Sequence, residues 1–297
     1  MNTQSNAASQ SWLQSGGFAT TVLTAARPLY WSVRRELWEN RSIYIAPLAA
    51  GVLFLVGFAI SAVRMRLHDE VRWTADQYEL APALIMGAAL IVSVFYCLDA
   101  LYGERRDRSI LFWKSLPVSD LIAVMAKLAI PILILPLLSF VITVATQLLM
   151  FVVTSVIFAG SDISIADIWT QASFLRVPAI WLYHLVTVHG LFYAPLYCWL
   201  LLVSAWAPRA PFMWAFLPPF VISGVEKIAF KSSYFPNMLR YRLEGPGSGM
   251  ASDHSQDFTS TLIPHHFLST PGLWSGLAVA AIFLYLTVRL RRSRGPI

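Results

Sequence analysis

"DLIAVMAKLAIPILILPLLSFVITVATQLLMFVVTSVIF", residues 120–158, holds two charged residues, Asp120 and Lys127, in an otherwise apolar run. A helix needs about 20 mostly apolar residues to cross a bilayer. This run exceeds that length and predicts a span that tilts or continues as helix beyond the membrane. Five more runs qualify, at roughly 43–63, 80–101, 177–206, 211–230 and 271–290. Only 13% of the chain is charged and 57% is hydrophobic. Soluble domains carry about 25% charged residues, so the composition argues for a membrane protein. The expected fold is all-α and integral to the membrane. A single domain over 27–290 contains six transmembrane helices preceded by an interfacial helix. Pro131, Pro136, Pro195 and the pair Pro218–Pro219 fall within spans, where they are expected to kink or break helices.

The net charge of +6 invites a nucleic-acid reading, but its distribution opposes one. Thirteen of the 22 basic residues lie before the first span, in the loops 102–119 and 207–210, and after the sixth span. The other side carries eight, against ten carboxylates, for a net charge of −2. Basic residues concentrate on the cytoplasmic side of short loops. Both termini are therefore expected in the cytoplasm, and the positive charge reads as an orientation signal with no nucleic acid as partner. Residues 1–26 carry no charge and no continuous apolar core, so they read as a mobile tail and not a secretory signal. Residues 291–297 read as a short basic tail. The outer loop 231–270 is long, and a structureless loop of about 40 residues would be unusual. Its segments "FPNMLRYRL" (235–243) and "FTSTLIPHHFL" (258–268) are expected to form short helices or surface-hugging segments.

"RPLYWSVRRELWENR", residues 27–41, places Leu29, Val33 and Leu37 on one helical face, with Tyr30 beside them. Arg34, Arg35, Glu36 and Glu39 are assigned to the rest, with Arg35 and Glu39 at the i,i+4 spacing of a surface pair. Trp31 and Trp38 suit the membrane interface. The segment reads as a helix lying in the inner headgroup layer; the alternative is a plain cytoplasmic extension of the first span.

Catalytic chemistry is sparse. His184 and His189 lie five residues apart, which points them about 140° apart on a helix. His265 and His266 are adjacent and do not converge on one metal unaided. The patterns H-E-x-x-H and G-x-S-x-G are absent, and "GPGSG" (245–249) lacks the Lys-Ser/Thr of a phosphate-binding loop. No metal site and no catalytic residue is assigned. Cys97 and Cys198 both fall inside apolar runs, which argues against a disulfide framework. Asp99, near the end of the second span, and Lys127, two turns into the third, read as a possible structural pair. The fourth span is rich in aromatic and polar groups. Trp181, Tyr183, His189, Tyr193 and Tyr197 form a possible substrate path, with lipid contact as the competing reading.

Between the second and third spans lies "YGERRDRSILFWKSLP", residues 102–117, dense in charge and followed by the capping types Ser119 and Asp120. An apolar cluster, Ile110 to Trp113, follows Glu104, Arg105, Arg106, Asp107 and Arg108. The pattern predicts a short amphipathic helix against the cytoplasmic face, able to dock a soluble partner. The run 102–127, "YGERRDRSILFWKSLPVSDLIAVMAK", resembles the corresponding loop of the type-2 permeases of ATP-binding-cassette (ABC) transporters. Glu104–Arg105, Ser109, Leu111, Lys114, Ser115–Leu116–Pro117, Ser119 and Lys127 carry the likeness.

The resemblance implies a bacterial plasma-membrane permease subunit of an exporter. Its coupling helix would seat Glu104, Arg105, Arg106, Asp107, Arg108, Ser109, Leu111, Phe112, Lys114, Leu116 and Pro117 against a nucleotide-binding subunit. It also implies two copies of that subunit, which would hold ATP and Mg, and a second permease chain, identical or related. This chain would bind no cofactor and hydrolyse no ATP by itself. The competing classes are an integral membrane enzyme acting on lipid or peptide, with His254, Asp253, His265 and His266 near its centre, and a docking or regulatory protein without transport.

Overall fold

The structure is a computed structural model that describes residues 27–68, 76–116, 118–159, 181–244 and 270–297. Helix α1 covers 27–39. It is followed by α2 (Ser42–His68), α3 (Asp76–Ala100), α4 (Tyr102–Arg106), α5 (Ile110–Ser115) and α6 (Asp120–Ile157). Then come α7 (Trp181–Phe192), α8 (Ala194–Trp206), α9 (Pro211–Phe230), α10 (Tyr234–Glu244) and α11 (Pro271–Ser293). No strand occurs among the described residues. Five helices, α2, α3, α6, α9 and α11, are each long and apolar enough to cross a membrane, and α7 with α8 makes a sixth if the bent pair is one span. The expected six apolar runs thus reappear as helices with nearly the same ends.

The bundle is built on α3, α6, α8 and α11, with α2 laid across α3 and α6. Its interior holds Tyr96, Cys97, Ile130, Leu135, Tyr197 and Leu201, all nearly inaccessible. Gly51 lets α2 approach α6, since a Cβ there would sit 3.0 Å from Thr146 Oγ1 and 3.2 Å from Ile142 Cγ2. Outward-facing positions are apolar too: Leu53, Val156, Phe220 and Ile228 are each at least two-thirds exposed. A water-soluble protein avoids so much exposed apolar surface; a hydrocarbon solvent favours it. Ser93, Thr187 and Thr287 satisfy their hydroxyls on the carbonyls one turn back, Ala89, Tyr183 and Phe283.

The prolines act unequally. α6 passes through a π-helical turn at Ile130–Ile134, which contains Pro131 and is followed by Pro136. A π turn inserts one extra residue into the helix, and here the helix continues beyond it. α7 winds as π helix over Leu185–Phe192 and meets α8, which carries Pro195 in its first turn, at a bend of 46°. Pro218 and Pro219 lie inside α9 without breaking it. The predicted helix in "FPNMLRYRL" is present as α10. The segment "FTSTLIPHHFL", the tail 1–26 and His254, Asp253, His265 and His266 lie outside the described residues.

Candidate functional site

The loop from α3 to α6 folds as two short helices around a left-handed residue, Arg108, at φ 58°. Its first helix is tied to the bundle at several points. Ser204 Oγ of α8 accepts hydrogen bonds from the backbone N–H groups of Leu101 (3.0 Å) and Tyr102 (2.9 Å). Arg105 Nη1 donates to the carbonyls of Ala205 (2.8 Å) and Ala207 (3.2 Å). Those carbonyls end α8, where helical acceptors lack partners and a cation is favoured. Ser119 caps α6, its hydroxyl accepting from Ile122 N at 3.3 Å, as its position before the apolar run predicts.

Glu104 is the centre of the arrangement. It is 8% exposed and receives Arg35 of α1 at 3.0 Å, Lys127 of α6 at 3.1 Å and Arg291 of α11 at 2.5 Å. Lys127, 3% exposed, also binds Glu36 of α1 at 2.8 Å. The other Glu36 oxygen accepts from the Tyr96 hydroxyl of α3 at 2.8 Å. Arg291 Nε reaches Asp120 at 3.1 Å. A buried carboxylate is costly unless paired, and both buried carboxylates here are paired at least twice. Four elements, α1, α4, α6 and α11, meet through one set of ion pairs. The chain's last residues join them: Ile297 N donates to Arg105 O at 3.2 Å, and Lys114 Nζ to Arg294 O at 3.1 Å.

The second helix, α5, turns the other way. Ile110 is buried and anchors it, while Leu111 and Phe112 are 58% and 59% exposed. Trp113 lies edge-on to Phe112, and its ring receives the Arg35 guanidinium at 3.5 Å. Arg106, Asp107, Arg108, Lys114 and Leu116 are exposed as well. Arg106 pairs with Asp107 at 3.0 Å. Pro117 lies outside the described residues. The loop thus presents a compact apolar knob ringed by charge.

Not every candidate residue lies where the sequence implies. Glu104 and Arg105 face inward and bind their own chain, so their charges are not offered to a partner. Asp99 and Lys127 do not pair: Asp99 is exposed with Arg106 at 3.9 Å, and Lys127 turns to Glu36 and Glu104. Glu36 lies inside, not on the charged face of α1. Its helical position could have revealed this, since at 100° per residue it falls about 20° from Leu29, within the apolar stripe. The expected Arg35–Glu39 pair forms at 3.3 Å. Arg291 and Asp120 as members of the ion-pair set had no local signal.

In α7 and α8, His189 and Tyr193 lie with ring centroids 5.3 Å apart, and Tyr193 and Tyr197 with theirs 6.5 Å apart. His189 is buried with neither ring nitrogen hydrogen-bonded, and the buried Tyr197 hydroxyl also lacks a hydrogen bond. The Tyr193 hydroxyl donates to Leu243 O of α10 at 3.0 Å. Trp181 is buried beside His184, whereas Tyr183 is exposed and stands apart from this column. Among the described residues no three His, Cys, Asp or Glu side chains converge as metal ligands. Set beside known protein families, curated proteins and solved structures, the chain matches none of them.

Proposed function

We propose that this chain is the membrane permease subunit of an ATP-driven exporter, and that α4–α5 is its docking element for a separate nucleotide-binding subunit. One observation carries the reading: the exposed Leu111–Phe112 knob stands on a loop whose other face is locked to α1, α6 and α11 through Glu104. A soluble partner gripping the knob pushes on several candidate spans at once. ATP and Mg belong to that partner, present in two copies, and a second permease chain completes the translocation path. The loop faces the cytoplasm of a bacterial cell, with both chain ends on the same side. Contacts of α1 and of the C-terminal residues with the loop support that arrangement. The His189–Tyr193–Tyr197 column offers polar groups in an apolar interior and suits an amphipathic or neutral cargo.

The test is purification from the native membrane in mild detergent, with mass spectrometry and ATPase assay of what co-elutes. A stoichiometric nucleotide-binding protein is expected with the wild type and lost with Phe112→Asp or Leu116→Asp, while insertion and thermal stability persist. A lone chain from preparations that preserve comparable complexes defeats the proposal and redirects attention to a membrane enzyme. A stoichiometric partner whose ATP turnover ignores every candidate cargo points instead to a docking protein.

A further inference from the structure

A cavity of about 400 Å³ opens between α1, α5 and the start of α6. Its floor is the ion-pair set, where Glu36, Glu104, Lys127 and Arg291 already bind one another. Its walls are apolar: Pro28 and Trp31 of α1, Trp113 of α5, and Leu116, Val118 and Ala123. At its edge stands Arg27, for which no carboxylate lies within ion-pair distance among the described residues. The lining holds four cations, Arg27, Arg35, Lys127 and Arg291, against three carboxylates, Glu36, Glu104 and Asp120. Arg35 Nε also makes no hydrogen bond, although Glu39 lies 3.3 Å from it.

These features describe an occupant with one anionic group and an apolar body. A nucleotide or other polyanion would need more free cations than Arg27 alone supplies within this lining. Trp31, in the lining, and Tyr30, edge-on to it at 5.5 Å, are each more than half exposed on α1. Aromatic residues of that kind settle at headgroup depth, so the opening lies where lipids present their phosphates. Basic pockets on the cytoplasmic side of membrane helices take anionic headgroups. Arg292, whose guanidinium lies 3.9 Å from Asp120 of the lining, adds positive charge at the same end of the bundle.

We infer that the cavity binds an anionic phospholipid of the inner leaflet, with its phosphodiester on Arg27 and its apolar part against Trp31, Trp113 and Leu116. The assignment to the inner leaflet rests on the cytoplasmic orientation proposed above; the binding itself does not. Because α1 and α5 already meet where the Arg35 guanidinium stacks on Trp113, the lipid fills the space beside that contact and braces the interfacial helix against the docking helix. Docking strength then depends on the lipid composition of the membrane.

The experiment is native mass spectrometry of the full chain released from nanodiscs of mixed phosphatidylglycerol and phosphatidylcholine. Wild type is expected to retain phosphatidylglycerol preferentially, and Arg27→Gln to weaken that retention about tenfold, the usual effect of losing one charge-assisted contact. Ala123→Phe, which narrows the cavity, is expected to reduce retention with Arg27 intact. Should Ala123→Phe fail to fold, Val118→Phe at the same wall replaces it. Equal retention of the two lipids, or full retention by Arg27→Gln, overturns the inference. Glycerophosphoglycerol, the same headgroup without acyl chains, is the second probe. Weak binding of it supports a lipid site, and binding as strong as the lipid's overturns it in favour of a free phosphate diester. Recovery of a nucleotide-binding partner is scored in parallel from native-membrane preparations. A retained partner with no lipid preference defeats this inference alone, and a retained lipid with no partner defeats the proposed function alone.

Discussion

Replacing Glu104 with Gln keeps the side chain's shape and removes its charge. Three cations then lose a carboxylate: Arg35 at 3.0 Å, Lys127 at 3.1 Å and Arg291 at 2.5 Å. Breaking one partner of a buried ion pair costs about 3–5 kcal/mol, because the other charge remains desolvated. Here the lower end applies. Lys127 keeps Glu36 at 2.8 Å and Arg291 keeps Asp120 at 3.1 Å, and the substituted amide still offers one carbonyl oxygen. At about 1.6 °C per kcal/mol for a chain of 297 residues, a loss of about 3 kcal/mol lowers Tm by about 5 °C. The assay is thermal unfolding in detergent followed by tryptophan fluorescence, with Asp107→Asn as the control. Asp107 is exposed and, among the described residues, pairs only with its exposed neighbour Arg106, so its loss is expected to leave Tm unchanged. If Glu104→Gln melts with the wild type, Glu104 is not the centre of the loop's attachment. A defect of that variant in partner binding would then belong to the interface.

Three further outcomes are expected. Ser204→Ala strands the backbone N–H groups of Leu101 and Tyr102 in a buried site, at a cost of about 2–4 kcal/mol. It should raise hydrogen exchange specifically at those two amides. Gly51→Leu forces α2 away from Thr146 and Ile142 of α6, costing about 1–3 kcal/mol of overpacking. Thermal unfolding reads it, and Gly57→Leu, which meets nothing within 4 Å, should be silent. Glu226→Gln weakens the carboxylate that accepts from Ser232 Oγ, Tyr234 N and Phe235 N at the start of α10. It should increase proteolytic nicking between α9 and α10, and equal nicking of the two proteins would remove Glu226 from that role.

The helices were legible because long apolar runs have few other solutions, and their ends moved little between sequence and structure. The prolines announced disturbance but not its form. Pro131 lies in a π turn inside a continuing helix, with Pro136 just after it, while Pro218 and Pro219 leave α9 unbroken, since neighbouring turns can absorb a missing donor in either way. The ion-pair set was half legible. Glu36 sits in the apolar stripe of α1 by helical arithmetic, and Lys127 was conspicuous as the lone cation inside α6. Their pairing was not readable. Asp99 is close to Lys127 along the chain's path but lies on the exposed side of α3, whereas Arg291 arrives from 187 residues beyond Glu104. Sequence periodicity fixes which way a residue faces on its own helix; it carries no register between helices far apart in sequence.

That distinction bears on why ions stand where apolar side chains would pack. A buried ion-pair set seldom outperforms well-packed hydrophobic residues in stability, so stability alone is a weak reason for this one. Apolar contacts are non-directional and tolerate sliding between helices. Glu104, by contrast, meets Arg35, Lys127 and Arg291 at fixed distances from three different elements, and Trp113 of α5 lies 3.5 Å from the same Arg35 guanidinium. A displacement of α4 cannot be absorbed at that junction without parting a charge from its partner in a desolvated site. The cheaper response is for α1, α6 and α11 to move with it. Such a junction fixes the register of α1, α4, α6 and α11, and the coupling role proposed for the loop would depend on it.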